Sequence, residues 1–209
     1  GHALYLQYGD IFDANQVMES NSRRNIVIPV NRCFDTCVDN HIVSEKTLHG
    51  IAFKKLYASN KYTEETLAQS IKKLLANVEH ENLTKQEKPE GNRKRYPVGT
   101  VIDLPGHKNE HFFLWALSTF DSNLKAHTSM QEYTLAIQKL IESCNEESEG
   151  FPVVLPLVGA GLSRTNKDQQ DILQYLINAF RLNKDKINCD IHIVVHINVK
   201  NEIAIMNIR

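Results

Sequence analysis

The chain has 209 residues, 42% hydrophobic and 23% charged, enough apolar material for one sizeable core and hence a single globular domain over 1–209. Lys and Arg number 24 against 25 Asp and Glu, a net charge of -1, which argues against a nucleic-acid partner because such a partner calls for a basic face. No stretch approaches the ~18 apolar residues of a membrane span and no signal-peptide pattern opens the chain, so a cytoplasmic domain is expected.

In chain order, the opening Gly1-His2 reads as a cloning remnant, with any N-terminal part of a parent protein lying outside this chain. Runs rich in β-branched residues predict strands at Leu4–Gln7, Ile26–Val30, Val98–Leu104, Phe112–Thr119, Val153–Val158, Ile191–Ile197 and Ile203–Ile208. Most are continuously apolar, as strands buried on both faces are, so the expected class is α/β with helices covering a sheet. An apolar-periodic stretch runs from Ile51 to Tyr57. Leu67, Ile71, Leu74, Leu75 and Val78 then form one helical stripe, followed by Tyr133, Ile137, Leu140 and Ile141, and by Ile172, Leu176, Ala179 and Phe180. Ser129-Met-Gln-Glu132 has capping-box spacing, Thr165-x-x-Asp168 is a weaker version, and Pro105-Gly106 marks a turn. The charged segment His80–Arg95 is expected to be a solvated loop.

Cys33, Cys37, Cys144 and Cys189 lack paired metal spacing and read as reduced thiols, so no metal site is expected. The informative stretch is "LPLVGAGLSR", in which an apolar run ends in Gly159-Ala160-Gly161 ahead of a helical pattern. Bare amides at the carboxyl end of a strand are where open α/β sheets receive phosphate, although a tight strand-to-helix turn uses the same residues. The pattern matches neither the P-loop nor the dinucleotide fingerprint. A second loop, "NRCFDTCVDNHIVSEKTLHG", leaves strand Ile26–Val30 at Asn31, and the two loops could clamp a diphosphate. Gly9-Asp10-Ile11 follows the first strand, where the Asp10 carboxylate could accept from an exocyclic amine or merely cap its own turn.

Together these pieces resemble a macro domain. "VIPVNRCFDTCVDNHIVSEKTLHG", "YPVGTVIDL", "FFLWALSTFD" and "LPLVGAGLSR" more narrowly resemble the macro domain carried by membrane-anchored effectors of the bacterial Thoeris antiphage system, over nearly the whole chain. The resemblance implies a mixed, mostly buried sheet of about six to seven strands with helices on both faces. It also implies an ADP-ribose-type ligand and no cofactor. Asp10 would bind the adenine amino group, Ile11 would add a backbone amide, and Asn31 would sit near the distal ribose. The loop from Phe34 to Ile42, with Phe34, Asp35, Thr36, Asp39 and His41, would wall the diphosphate on one side. Val158, Gly159, Ala160, Gly161, Leu162, Ser163 and Arg164 would supply the other. Arg164 is expected to pair with a carboxylate of the ligand, and Asp35 or Asp39 with an ammonium.

In that family a Toll/interleukin-1 receptor domain enzyme makes an ADP-ribose-derived messenger, which for the membrane-anchored branch resembles a histidine conjugate of ADP-ribose. The resemblance implies a non-enzymatic sensor that oligomerises on binding, on a parent protein anchored in the bacterial inner membrane. An ADP-ribosyl hydrolase is the alternative, with Asp35 or Asp39 activating water, His41 or His49 as acid or base, or Cys33 or Cys37 as nucleophile. Against it, the bulky, charged Arg32-Cys33-Phe34-Asp35 stands where hydrolytic macro domains carry their own signature after the asparagine.

Overall fold

The structure is a computed structural model that describes residues 2–14, 17, 22–120, 123, 126–158, 169–197 and 204–209. Its main sheet has seven strands: β1 (Leu4–Gly9), β2 (Arg24–Asn31), β5 (Val101–Pro105), β6 (Glu110–Phe120), β7 (Ala126–His127), β8 (Val153–Pro156) and β9 (Ile191–His196). A separate two-stranded ribbon joins β3 (Glu81–Asn82) to β4 (Lys94–Arg95). The main sheet runs in the order β1-β9-β8-β2-β6-β5, with β7 paired to β6. From β1 to β6 every pairing is parallel, and β5 closes the far edge antiparallel. The carboxyl ends of five strands therefore share one edge.

Four helices cover this sheet: α1 (Leu48–Ala58), α2 (Glu64–Leu74), α3 (Met130–Glu147) and α4 (Gln169–Leu182). The sequence of β2 explains the two layers. Ile26, Ile28 and Val30 face a cluster with Phe53, Leu56, Leu67 and Ile71 of α1 and α2. Val27 points the other way, into a cluster with Tyr133, Ile137 and Leu140 of α3 and Leu173 and Leu176 of α4. A period-2 strand with apolar residues on both faces can only sit between two layers.

The helix starts follow their caps. Ser129 accepts from the Glu132 amide at 3.1 Å and Glu132 accepts from the Ser129 amide at 3.0 Å, the reciprocal box expected from the sequence. Thr63 and Thr66 do the same for α2, and the Thr47 hydroxyl receives Gly50 N–H at 3.0 Å to start α1 three residues before the apolar period suggests.

Three expectations need correction. Within Ile203–Ile208, residues Ile205–Asn207 form a 3-10 turn and not a strand. Leu74 of the α2 stripe is exposed, because Leu67, Ile71 and Leu75 already occupy the face turned to the sheet. The segment His80–Arg95 is not simply solvated: Lys88 lies 1% exposed, and Arg93 donates to the Lys88 and Pro89 carbonyls. Thr165 to Asp168 lies outside the described residues. Among the described residues no helix is long and apolar enough to cross a membrane.

Candidate functional site

At the carboxyl edge of the parallel strands, the loop from Asn31 to α1 rises beside β6 and encloses a cavity of about 310 Å³. Asn31, Ile42, Ser44, Thr47, His49 and Val158 are among the residues lining it, with Ser118 and Phe120 from β6 opposite. The start of α1 thus borders the cavity through Thr47 and His49, with the Gly50 amide capped by the Thr47 hydroxyl.

Asn31 ends β2 and is 3% exposed. Its Oδ1 accepts the Cys33 amide at 3.0 Å and, more weakly, the Asp35 amide at 3.4 Å. Its Nδ2 is buried and has no hydrogen-bond partner among the described residues. A buried amide donor left unpaired costs on the order of 1–3 kcal/mol, which sets this residue apart from the other side chains beside the cavity.

Asp35 lies behind that wall. Its carboxylate receives Lys88 Nζ at 2.7 Å and the Asn92 amide at 2.6 Å, with Asp35 and Lys88 both almost completely buried. Lys88 Nζ also donates to Asn92 O at 2.6 Å and lies 5.8 Å from the Phe120 ring centre. Gly91 makes this clasp feasible: its φ is +79°, and a side chain there would collide with both Asp35 and Lys88. The Asp35 carbonyl accepts from His49 Nε2 at 2.7 Å. Burial pushes the His49 imidazole down to about 4, so the ring is neutral at physiological pH. Gly50 follows because the Ser44–Glu45 backbone lies against the start of α1 and leaves no room for a Cβ. Leu48-His49-Gly50 is therefore one packing device.

Of the residues singled out from the sequence, Asn31 and Val158 share the cavity. Gly159, Ala160, Gly161, Leu162, Ser163 and Arg164 lie outside the described residues. Asp10 is exposed at the end of β1, where its Oδ1 accepts the Phe12 amide at 2.9 Å, while Ile11 is buried in the α1 and α2 layer. Phe34 and Thr36 do not line the cavity; they face a second groove beside α2, where Phe34 meets Tyr96 edge-on and the Thr36 carbonyl accepts from Tyr57. Phe34 takes a left-handed φ of 52°. Asp35 is committed to Lys88, so its carboxylate is not offered to an ammonium. Asp39 is exposed, and the His41 and Ile42 amides hold its carboxyl below the usual range. His41 is exposed and pairs with Glu90. The part of this loop that lines the cavity includes Ile42, Ser44, Thr47 and His49 and leaves out Phe34, Asp35 and Thr36. Burial raises the thiols of Cys33 and Cys37 to about 11, Cys37 with help from hydrogen bonding to Asp39, which keeps both protonated.

Comparison with known proteins agrees with this architecture. A family profile described as "Thoeris protein ThsA, Macro domain" matches residues 4–196. The Thoeris protein ThsA of Bacillus amyloliquefaciens (strain Y2) is 30% identical over 191 residues, covering 89% of this chain. The chain spans only 59% of that relative's length. A variant of the Oceanobacillus iheyensis macrodomain superposes with a TM-score of 0.54 at 11% identity, covering 92% of this chain and 84% of its own, a likeness of fold. With a profile match over most of its length, a 30% identical relative and a macro-type sheet, the chain belongs to the Thoeris ThsA macro-domain family.

Proposed function

We propose that this domain is a sensor that captures an ADP-ribose-derived messenger, a histidine conjugate of ADP-ribose made by a Toll/interleukin-1 receptor domain enzyme. Capture then favours a homo-oligomer of a parent protein anchored in the bacterial inner membrane, through differential affinity of the messenger for that state.

The observation that carries the reading is the buried, unpaired Asn31 amide on the wall of the strand-end cavity. An extended dinucleotide also fits the strand order. Asp10 follows β1 and Asn31 ends β2, and the two strands lie three spacings apart along β1-β9-β8-β2, or about 14 Å. Adenine at Asp10 and the distal ribose at Asn31 put the diphosphate over the end of β8, where Val158 leads into Gly159-Ala160-Gly161. A hydrolase reading draws little from the groups at hand, since Asp35 is ion-paired behind the wall, His49 is tied to a carbonyl and the Cys33 thiol is protonated.

Titration calorimetry with ADP-ribose and its histidine conjugate tests the reading, with recovered ligand analysed by mass spectrometry. The expected result is saturable binding of the conjugate, tighter than that of ADP-ribose, with the conjugate recovered intact. Failure to bind either compound would refute the ligand class, and quantitative cleavage would establish the hydrolase instead.

A further inference from the structure

Strand β1 ends the sheet on one side and β5 on the other, and the two edges are built differently. β5 carries Asp103, which Arg23 and His111 engage, and it ends in Pro105, which has no N–H to offer and whose carbonyl accepts from the Tyr62 hydroxyl at 2.7 Å. β1 reads Leu4-Tyr5-Leu6-Gln7-Tyr8-Gly9, with no charged residue and no proline. An edge without such blocks is a template for another strand.

The ladder with β9 fixes which backbone groups of β1 remain. The Ala3 carbonyl accepts from the Ile191 amide at 3.0 Å. In a parallel pair alternate residues turn toward the neighbour, so Tyr5 follows Ala3 toward β9 while Leu4 and Leu6 turn their backbone groups outward. Among the described residues nothing pairs with the outward N–H and C=O of Leu4 and Leu6. Their side chains pack on the α3 and α4 cluster, so by alternation Tyr5 faces the opposite side of the sheet. There Tyr5 is 45% exposed, and its ring stacks on His192 with ring centres 4.5 Å apart. A stacked, open aromatic beside an unpaired edge suits a strand that brings an aromatic across from it, and β1 itself is such a strand.

We propose that two copies of this domain join β1 to β1, antiparallel about a two-fold axis at Tyr5, so that their sheets become continuous. This names the surface of the homo-oligomer in the reading above and rests on that part of it. In this register Leu4 N–H donates to the partner's Leu6 carbonyl, Leu6 N–H donates to the partner's Leu4 carbonyl, and the reverse bonds complete the set. Tyr5 meets the partner's Tyr5 as the close, non-hydrogen-bonded pair, which extends the stack from His192 across the axis. His2 stands opposite the partner's Tyr8 and Ala3 opposite the partner's Gln7, so no like charges face each other along the strands. A strand contact of this length buries less than the about 1,200 Å² of a stable interface. The pairing is therefore weak between free domains and gains when copies are held close together.

Sedimentation equilibrium of the domain from about 10 µM to 1 mM tests the pairing, with binding of ADP-ribose and its histidine conjugate followed separately by calorimetry. The expected result is a reversible equilibrium of monomer and dimer. Leu6→Pro removes an outward N–H and none from the β9 ladder, so it should weaken the dimer at least tenfold and leave ligand binding unchanged. Tyr5→Cys, in a Cys37→Ser background, should form an intermolecular disulfide on oxidation with diamide, because the paired Cα atoms lie about 4.5 Å apart. Gln7→Cys, on the same face but opposite the partner's Ala3, should not. A monomer throughout the range, an undiminished dimer in folded Leu6→Pro, or equal cross-linking of the two cysteine variants overturns the proposal and leaves messenger capture standing. A dimer that binds neither compound overturns messenger capture and leaves the pairing.

Discussion

Replacing Lys88 by Met tests the support beneath the site. The change keeps most of the stem and removes the ammonium that sits 2.7 Å from Asp35 Oδ2 and 2.6 Å from the Asn92 carbonyl. The stranded Asp35 carboxylate, 2% exposed, would keep the Asn92 amide as its hydrogen-bond donor. Leaving one member of a buried pair alone typically costs about 3–5 kcal/mol, a large share of the roughly 5–15 kcal/mol that holds a domain together. With a slope near 2 kcal/mol per molar urea, the unfolding midpoint should fall by about 2 M. The matched double variant Asp35→Asn, Lys88→Met removes both charges and should recover more than about 1.5 kcal/mol relative to the sum of the single variants. Urea unfolding followed by the fluorescence of the single tryptophan, Trp115, reads all three proteins. A Lys88→Met loss below about 1 kcal/mol, or strict additivity, would mean that water reaches the pair and that the clasp is no more than a surface ion pair.

Three further changes address the site itself. Asp10→Ala should weaken ADP-ribose by roughly tenfold to a hundredfold in calorimetry, the worth of one charge-assisted hydrogen bond, while ribose 5-phosphate is unaffected; equal losses would show that Asp10 does not read the base. Arg164→Ala should cost the histidine conjugate at least about 1 kcal/mol and plain ADP-ribose almost nothing; equal losses would assign Arg164 to the diphosphate or the fold. For His49 the folded-state value of about 4 lies below the ordinary 6.5, so the unfolded chain binds more protons between them. Stability is then complete above about pH 6.5 and falls as the solution is acidified toward 4, by up to roughly 3 kcal/mol. His49→Phe should lose this slope relative to the parent in urea titrations at pH 7, 6, 5 and 4, and parallel curves would contradict a buried neutral imidazole.

The fold was legible where periodicity alone decides it. β2 and β6 are apolar on both faces, and Ser129 and Glu132 announce α3 without help from tertiary contacts. Legibility failed where a distant segment intervenes. Lys88, Pro89, Glu90, Gly91 and Asn92 have the composition of a solvated loop. They dock because Asp35, 53 residues away from Lys88, offers a buried carboxylate. The one local hint is Gly91, whose left-handed backbone permits the close approach, and a glycine in a polar loop reads equally well as an ordinary turn.

The candidate site divides along the same line. Asn31 could be placed at the strand edge from the sequence because it ends a buried strand, and it does line the cavity there. Phe34, Asp35 and Thr36 were placed at the ligand through the family resemblance, yet Phe34 and Thr36 face the groove beside α2 and Asp35 pairs with Lys88. His49 was read only as a possible acid or base, and its sequence neighbourhood gives no sign of the partner that holds its ring. Its meaning comes from the Asp35 carbonyl, which fixes its tautomer and turns a buried histidine into an acceptor. Asn31 and His49 are therefore both held by backbone atoms of a residue whose own side chain is engaged elsewhere. A substitution at Asp35 or Lys88, neither of which lines the cavity, should consequently weaken ADP-ribose by unsettling Asn31, whose Oδ1 accepts the Asp35 amide. Unchanged affinity in a folded Asp35→Asn, Lys88→Met protein would show that the two side chains hold their places without that support.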